Sequence, residues 1–241
     1  MEQRTVRPGW AKAVFLLVLA TLIGSCVYAI VGVVSAPAGP VPGVEHEKIK
    51  SDYALMIVQC VLGIVVMFLP SALERKLRIA IPGFMYDMFV VFLYAAIYLG
   101  EIRSFYYRIP HWDLILHGFG GLMLGALSFS VIALLNDAEK VKVNLSPTFV
   151  AVFAFCFAVA MGVVWEFYEF AVDGLLGLNM QKFALEDGQA LVGRQALVNT
   201  MNDLIVDAAG AIVMSAVGYV SVKYRKGWVP RMLMKRTAPA T

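Results

Sequence analysis

FVAVFAFCFAVAMGVVWEFYEFAV, residues 149–172, carries only two charges, Glu166 and Glu169, both near its end. A helix of about 20 apolar residues crosses a hydrocarbon core roughly 30 Å thick, so this stretch reads as a membrane span. On a translocon scale an acid at the centre of a span costs about 2.5–3.5 kcal/mol, so two glutamates three residues apart require partners from other spans. Five further windows are long and apolar enough to cross, near residues 12–34, 53–70, 83–100, 114–135 and 200–221. Of the 241 residues, 60% are hydrophobic and 15% charged, where a soluble domain has about a quarter charged. The sequence predicts an all-α integral membrane protein, a bundle of about six transmembrane helices forming a single polytopic domain over 1–241, with a basic tail at 222–241.

The first window resembles a secretory leader, with Arg4, Arg7 and Lys12 ahead of an apolar run and IGSC ending at Cys26. The run continues from Val27 to Val34 without a polar break, long enough to span, so a retained helix is expected. Cys26, Cys60 and Cys156 are scattered through apolar windows, and this spacing makes neither a disulfide framework nor a metal motif.

Fourteen of the twenty lysines and arginines fall in the N-terminus, the second and fourth loops and the tail. The positive-inside rule then predicts that both termini are cytoplasmic, as in a multi-pass protein of the bacterial inner membrane. The tail segment RKGWVPRMLMKR (225–236) reads as an anchor on anionic lipid rather than a nucleic-acid patch. Residues 35–52 are rich in Pro and Gly and then charged, an exposed loop in which His46 is solvated. In the stretch 173–198, LEDGQALVGRQAL (185–197) resembles a surface helix.

With this topology the polar residues of three spans meet at one depth. Glu166 and Glu169 lie roughly 5–9 Å below the outer end of the fifth helix at 1.5 Å per residue. The fourth opens with HWDLILHGFGG (111–121), with Asp113 and His117 one turn apart. The sixth opens with NTMNDLIVDAAGA (199–211), with Asp203 and Asp207 one turn apart and Asn199 a turn above. Spacings of three and four put each pair on one helix face. Gly120, Gly121, Gly125, Gly162 and Gly210 lie on the same faces and allow close approach. HGFGGLMLG (117–125) follows no strand and is no phosphate loop. Glu101 and Asp173 are placed to join the cluster, and Asp87 lies at the wrong end of its helix.

So many carboxylates around one imidazole need compensation. Some hold protons, or a cation reaches in (Arg103 and Arg108 are nearest in sequence), or a metal binds. Carboxylates with one histidine suit a divalent ion such as Mg, Mn, Ca or Zn, with His117, Glu166, Asp203 and Asp207 as candidate ligands. The alternative is interhelical hydrogen bonding without chemistry.

GEIRSFYYRIPHWDLILH (100–117), WEFYEF (165–170), NMQ (179–181) and NTMNDLIVDAAGA, in that order, resemble the YjdF-like family of uncharacterised bacterial inner-membrane proteins over roughly residues 50–222. A looser resemblance is to VanZ-like proteins. The resemblance implies Asp113, His117, Glu166, Glu169, Asp203 and Asp207 as the signature and names no substrate. Three classes of function stand. One is a metal-assisted enzyme on a lipid or lipid-linked envelope substrate, with Glu169 or His117 as the acid–base group. The others are a non-catalytic binder or resistance factor and a cation- or proton-coupled transporter. No serine or cysteine stands beside the histidine as a nucleophile in a recognisable motif.

Overall fold

The computed structural model describes residues 9–39, 48–136, 145–185, 189–228 and 233–236. His46, Arg4, Arg7, Lys140, Lys142 and Arg231 lie outside them. Six helices are long and apolar enough to cross a membrane. They are α1 (Gly9–Ser35), α2 (Lys50–Leu77), α3 (Gly83–Leu93) with its continuation to Ile102, α5 (Trp112–Asn136), α6 (Pro147–Leu176) and α7 (Arg194–Lys223). A single turn, α4 (Phe105–Arg108), precedes α5. Helix α1 runs unbroken through Cys26.

Each end of α6 has a chemical cause. Ser146 caps the start, its hydroxyl accepting the Phe149 N–H at 3.1 Å, and Pro147 occupies the first turn, where no N–H is needed. Gly177 ends it at φ +64, a left-handed conformation that glycine adopts without cost. Lipid as solvent explains which face turns inward. The buried residues of α6 are Val150, Ala154, Ala158, Gly162, Glu166, Glu169 and Asp173, a stripe that changes from small to acidic along the helix. Phe167 and Phe170 are 67% and 70% exposed while Glu166 and Glu169 are 4% and 8%. Apolar side chains here face the bilayer and polar ones face protein, the only arrangement that spares charges from hydrocarbon.

The spans form two groups. Helices α1, α2 and α3 share a core that includes Leu22, Cys60, Met67, Val90 and Ile97. Helices α5, α6 and α7 pack on one another, α7 running along both of the others. Glycine brings α5 and α7 into backbone contact. A Cβ on Gly210 would lie 2.5 Å from the Gly118 carbonyl oxygen, and one on Gly121 would collide with the Asp207 carbonyl. Phe129 and Ile132 on α5 meet Val150 and Ala154 on α6 toward the opposite end.

Three features depart from the sequence reading. From Tyr94 to Ile102 the third span winds as a π-helix, a rare geometry that concentrates at functional sites. Among the described residues of the surface helix expected over 185–197, residues 185 and 189–193 are not helical. Ala184 and Ala190 pair as an isolated antiparallel bridge, and the Leu191 N–H donates to the Phe183 carbonyl at 2.8 Å. Gly193, at φ +62, breaks the chain direction, and only from Arg194 does helix follow, earlier than expected. At the far end, Lys235–Arg236 pairs antiparallel with Ile79–Ala80, so this part of the basic tail joins the protein backbone.

Candidate functional site: a buried carboxylate–histidine centre

The centre lies beside the first two turns of α5, about two to four turns into α7 and about two to three turns before the end of α6. On α5, Asp113 and His117 are one turn apart. On α7, Asp203 is 1% exposed and Asp207 is buried below it. The glycines set the depth of the contact, since a Cβ on Gly162 would sit 2.5 Å from Asp207 Oδ2. The Asp207 side chain thus fills the space left by Gly162 on α6, and its backbone carbonyl the space left by Gly121 on α5.

His117 links the two helices. Its Nδ1 lies 3.3 Å from Asp207 Oδ2 and its Nε2 lies 3.9 Å from Asp113 Oδ1. When Nδ1–H donates to Asp207, the Nε2 lone pair faces the Asp113 side, the arrangement by which carboxylates orient metal-ligating histidines. Asp113 Oδ2 accepts from Asn199 Nδ2 at 3.4 Å. One ligand atom from each of Asp113, His117 and Asp203 lies within 4.8 Å of the others. Asp203 Oδ1 is buried without a hydrogen-bond partner, as are Glu166 Oε1 and Glu101 Oε2. Bare buried carboxylate oxygens are costly unless something meets them.

The two glutamates of α6 are held differently. Trp165 Nε1–H donates to Glu169 Oε1 at 2.9 Å, one turn along the same helix. Gln181 Nε2–H donates to Glu166 Oε2 at 3.2 Å. Asp173, on the same stripe, serves the following loop, accepting the Met180 N–H at 2.7 Å and the Gln181 N–H at 3.0 Å. Its carboxylate is committed to backbone.

The cation that reaches toward these acids is a lysine, not an arginine. Arg103 and Arg108 are exposed. Lys182 Nζ sits 4.9 Å from the ring centres of both Tyr106 and Tyr107. Burial pulls the Lys182 ammonium down, but Glu101, then Tyr107, Asp113 and Glu169, outweigh it and hold it charged above its ordinary range. Burial, then Asp113 and Glu101, push the Tyr106 phenol well above its usual value, so it keeps its proton. Glu101 lies in the last turn of the π-helix, and Lys48 Nζ donates to its backbone carbonyl at 3.3 Å and to Ser104 Oγ at 2.7 Å. Asp87 lies near the start of α3, roughly 20 Å of helix away from Glu101 at 1.5 Å per residue.

Sequence spacing brought Asp113, His117, Asp203 and Asp207 to facing helices, where the structure has them in contact or close to it. It gave no role to Gln181, Tyr106 or Thr200, although all three fall inside the quoted motifs, and it missed Lys182, a single charge in a loop of mixed composition.

Six apolar spans with an inward-facing polar centre at one end define a polytopic helical membrane protein. A family model described as a predicted membrane protein, DUF2238, matches residues 13–224, and the chain belongs to that family, the YjdF family that its motif order resembles. An uncharacterized protein of Thermotoga maritima is 30% identical over 142 residues, which span 58% of this chain and 64% of that protein, less than two thirds of its length. No solved structure matches.

Proposed function

We propose that the centre binds a divalent cation through Asp113, His117 Nε2 and Asp203, with Glu166 completing the set. In this reading Asp207 orients His117 rather than binding metal. The observation that carries it is the convergence of three ligand atoms within 4.8 Å at a place where Asp203 Oδ1 is buried and unpartnered. One imidazole with carboxylates suits Mn, Zn or Mg.

The activity that fits is metal-assisted chemistry on a lipid or lipid-linked substrate at the outer face of a bacterial cytoplasmic membrane. Such an ion, when bound, polarises a substrate oxygen and lowers the pKa of a bound water. Glu169, buried beside Glu166 and held by Trp165, is the acid–base group. Transport is less well supported. Past Asp207, the buried polar residues described on α5–α7 are Ser128, Ser130, Ser215 and Ser221, with no ionisable group to relay a proton or ion. The outward orientation rests on the fourteen-of-twenty distribution of basic residues.

Elemental analysis of the detergent-purified protein beside Asp203→Asn tests this. The parent is expected to carry near-stoichiometric divalent metal and the variant to lose it. Loss of metal with unfolding temperature preserved separates a ligand from packing, because interhelical hydrogen bonds in membranes average only about 0.6 kcal/mol. A metal-free parent that takes up none on incubation, or an Asp203→Asn protein that retains its metal, sinks the reading.

A further inference from the structure

We propose that Gln181 and Lys182, in the loop after α6, are positioning residues that present Glu166 to the cation, an inference that rests on the proposed cation site. Glu166 has one oxygen pinned and the other bare: Oε2 accepts from Gln181, while Oε1 is buried with no partner. A carboxylate held in this way has its rotamer fixed and one coordination direction free.

The loop is built to hold Gln181. Its amide has two N–H groups, and both are used, one on Glu166 Oε2 and one on Thr200 Oγ1, each at 3.2 Å. Thr200 lies one turn ahead of Asp203, so this single amide ties the α6 and α7 sides of the centre together. Behind it, Asp173 accepts the N–H groups of Met180 and Gln181. Asn179 closes the loop, donating to the Ala184 carbonyl at 2.8 Å and accepting the Ala184 N–H at 3.1 Å. Leu178 and Met180 are buried against Leu55, Tyr168 and Val172.

Lys182 is the remaining tether. Its backbone takes the left-handed region at φ +51, which costs a non-glycine residue energy and persists only where the surroundings enforce it. The enforcement is its ammonium over Tyr106 and Tyr107, an attraction that strengthens when the pair is desolvated. Tyr106 in turn fills the space that Gly100 leaves on the π-helix. The third span therefore sets the position of Lys182, Lys182 sets Gln181, and Gln181 sets Glu166.

The test is Mn²⁺ binding by the purified full-length protein, with free Mn²⁺ read by electron paramagnetic resonance. Gln181→Met keeps length and removes both donors. It is expected to weaken Mn²⁺ about 10- to 100-fold, the range for groups that orient metal ligands. Lys182→Met is expected to shift affinity in the same direction, and Lys182→Arg, which keeps a cation on the rings, to restore it. In a Glu166→Gln background, Gln181→Met should change affinity by less than about twofold, because the two residues then act through one missing ligand. A Gln181→Met protein that binds like the parent, or whose full loss persists in the Glu166→Gln background, overturns the positioning role. A parent that binds no Mn²⁺ overturns the cation reading itself.

Discussion

Gly121→Ala, set against Gly120→Ala, tests the helix contact on which the centre depends. A Cβ on Gly121 collides with the Asp207 carbonyl oxygen and lies 3.0 Å from its carbon and 3.1 Å from Cα. The neighbouring Gly120 would meet nothing nearer than Asp207 Oδ1 at 4.0 Å. The atoms in the way at Gly121 are backbone, so no rotamer change relieves them and the axes of α5 and α7 must part by about 1 Å. A gap of that size forfeits a quarter to a half of the dispersion attraction of each facing pair, and overpacking of this kind costs about 1–3 kcal/mol. Displacing Asp207 also breaks its 3.3 Å contact with His117, already within a few tenths of an ångström of the limit for a hydrogen bond. Thermal unfolding in detergent and metal content are the two readouts. Gly121→Ala is expected to lower both, while Gly120→Ala stays near the parent or gains slightly from helix propensity. If the two variants behave alike, the backbone contact between α5 and α7 is wrong, and the geometry of the centre falls with it.

Two further outcomes are expected. Alkaline phosphatase fused after Thr241 should be inactive, and inserted at Val192, which is 80% exposed, it should be active; the opposite pattern reverses the orientation. Val65, 64% exposed near the middle of α2, should face acyl chains, so Val65→Asp should reduce membrane-inserted protein on immunoblot by an amount set by about 2.5–3.5 kcal/mol of insertion cost, and normal insertion would refute the lipid-facing assignment.

How legible each part was in the sequence follows from the range of the forces involved. The spans were legible because hydropathy acts residue by residue and needs no tertiary context. The facing pairs Asp113/His117 and Asp203/Asp207 were legible because helical period fixes which residues share a face, and because a charge in a span must turn inward. The π-helix at 94–102 was not, since YAAIYLGEI is as good an α-helix sequence; the departure coincides with Tyr106 packing into the gap at Gly100. Lys182 was hidden because cation–π pairing with Tyr106 and Tyr107 crosses more than seventy residues of sequence, whereas Arg103 and Arg108 were merely close in sequence.

The position of the centre along the bundle limits its chemistry independently of its contents. Glu101, Glu166, Glu169, Asp173, Asp203 and Asp207 are all buried; Glu101 and Asp173 lie in the last turn of their helices, Glu169, Glu166 and Asp203 about two to three turns from an end, and Asp207 near the middle of α7. The cost of a charge in a span falls toward its ends, and here the loop carrying Gln181 and Lys182 supplies donors and a cation. Among the described residues of α5–α7, no buried ionisable group lies beyond Asp207 toward the other end of the bundle. Orientation then decides which leaflet the site serves and nothing about its coordination. If the fusion experiment places both termini outside, the substrate class moves to the cytoplasmic leaflet, while the Asp203→Asn and Gln181→Met outcomes stand unchanged. Conversely, a metal-free protein with the expected topology would leave an outward-facing carboxylate cluster whose bare oxygens must be met by protons or by the donors of a bound ligand.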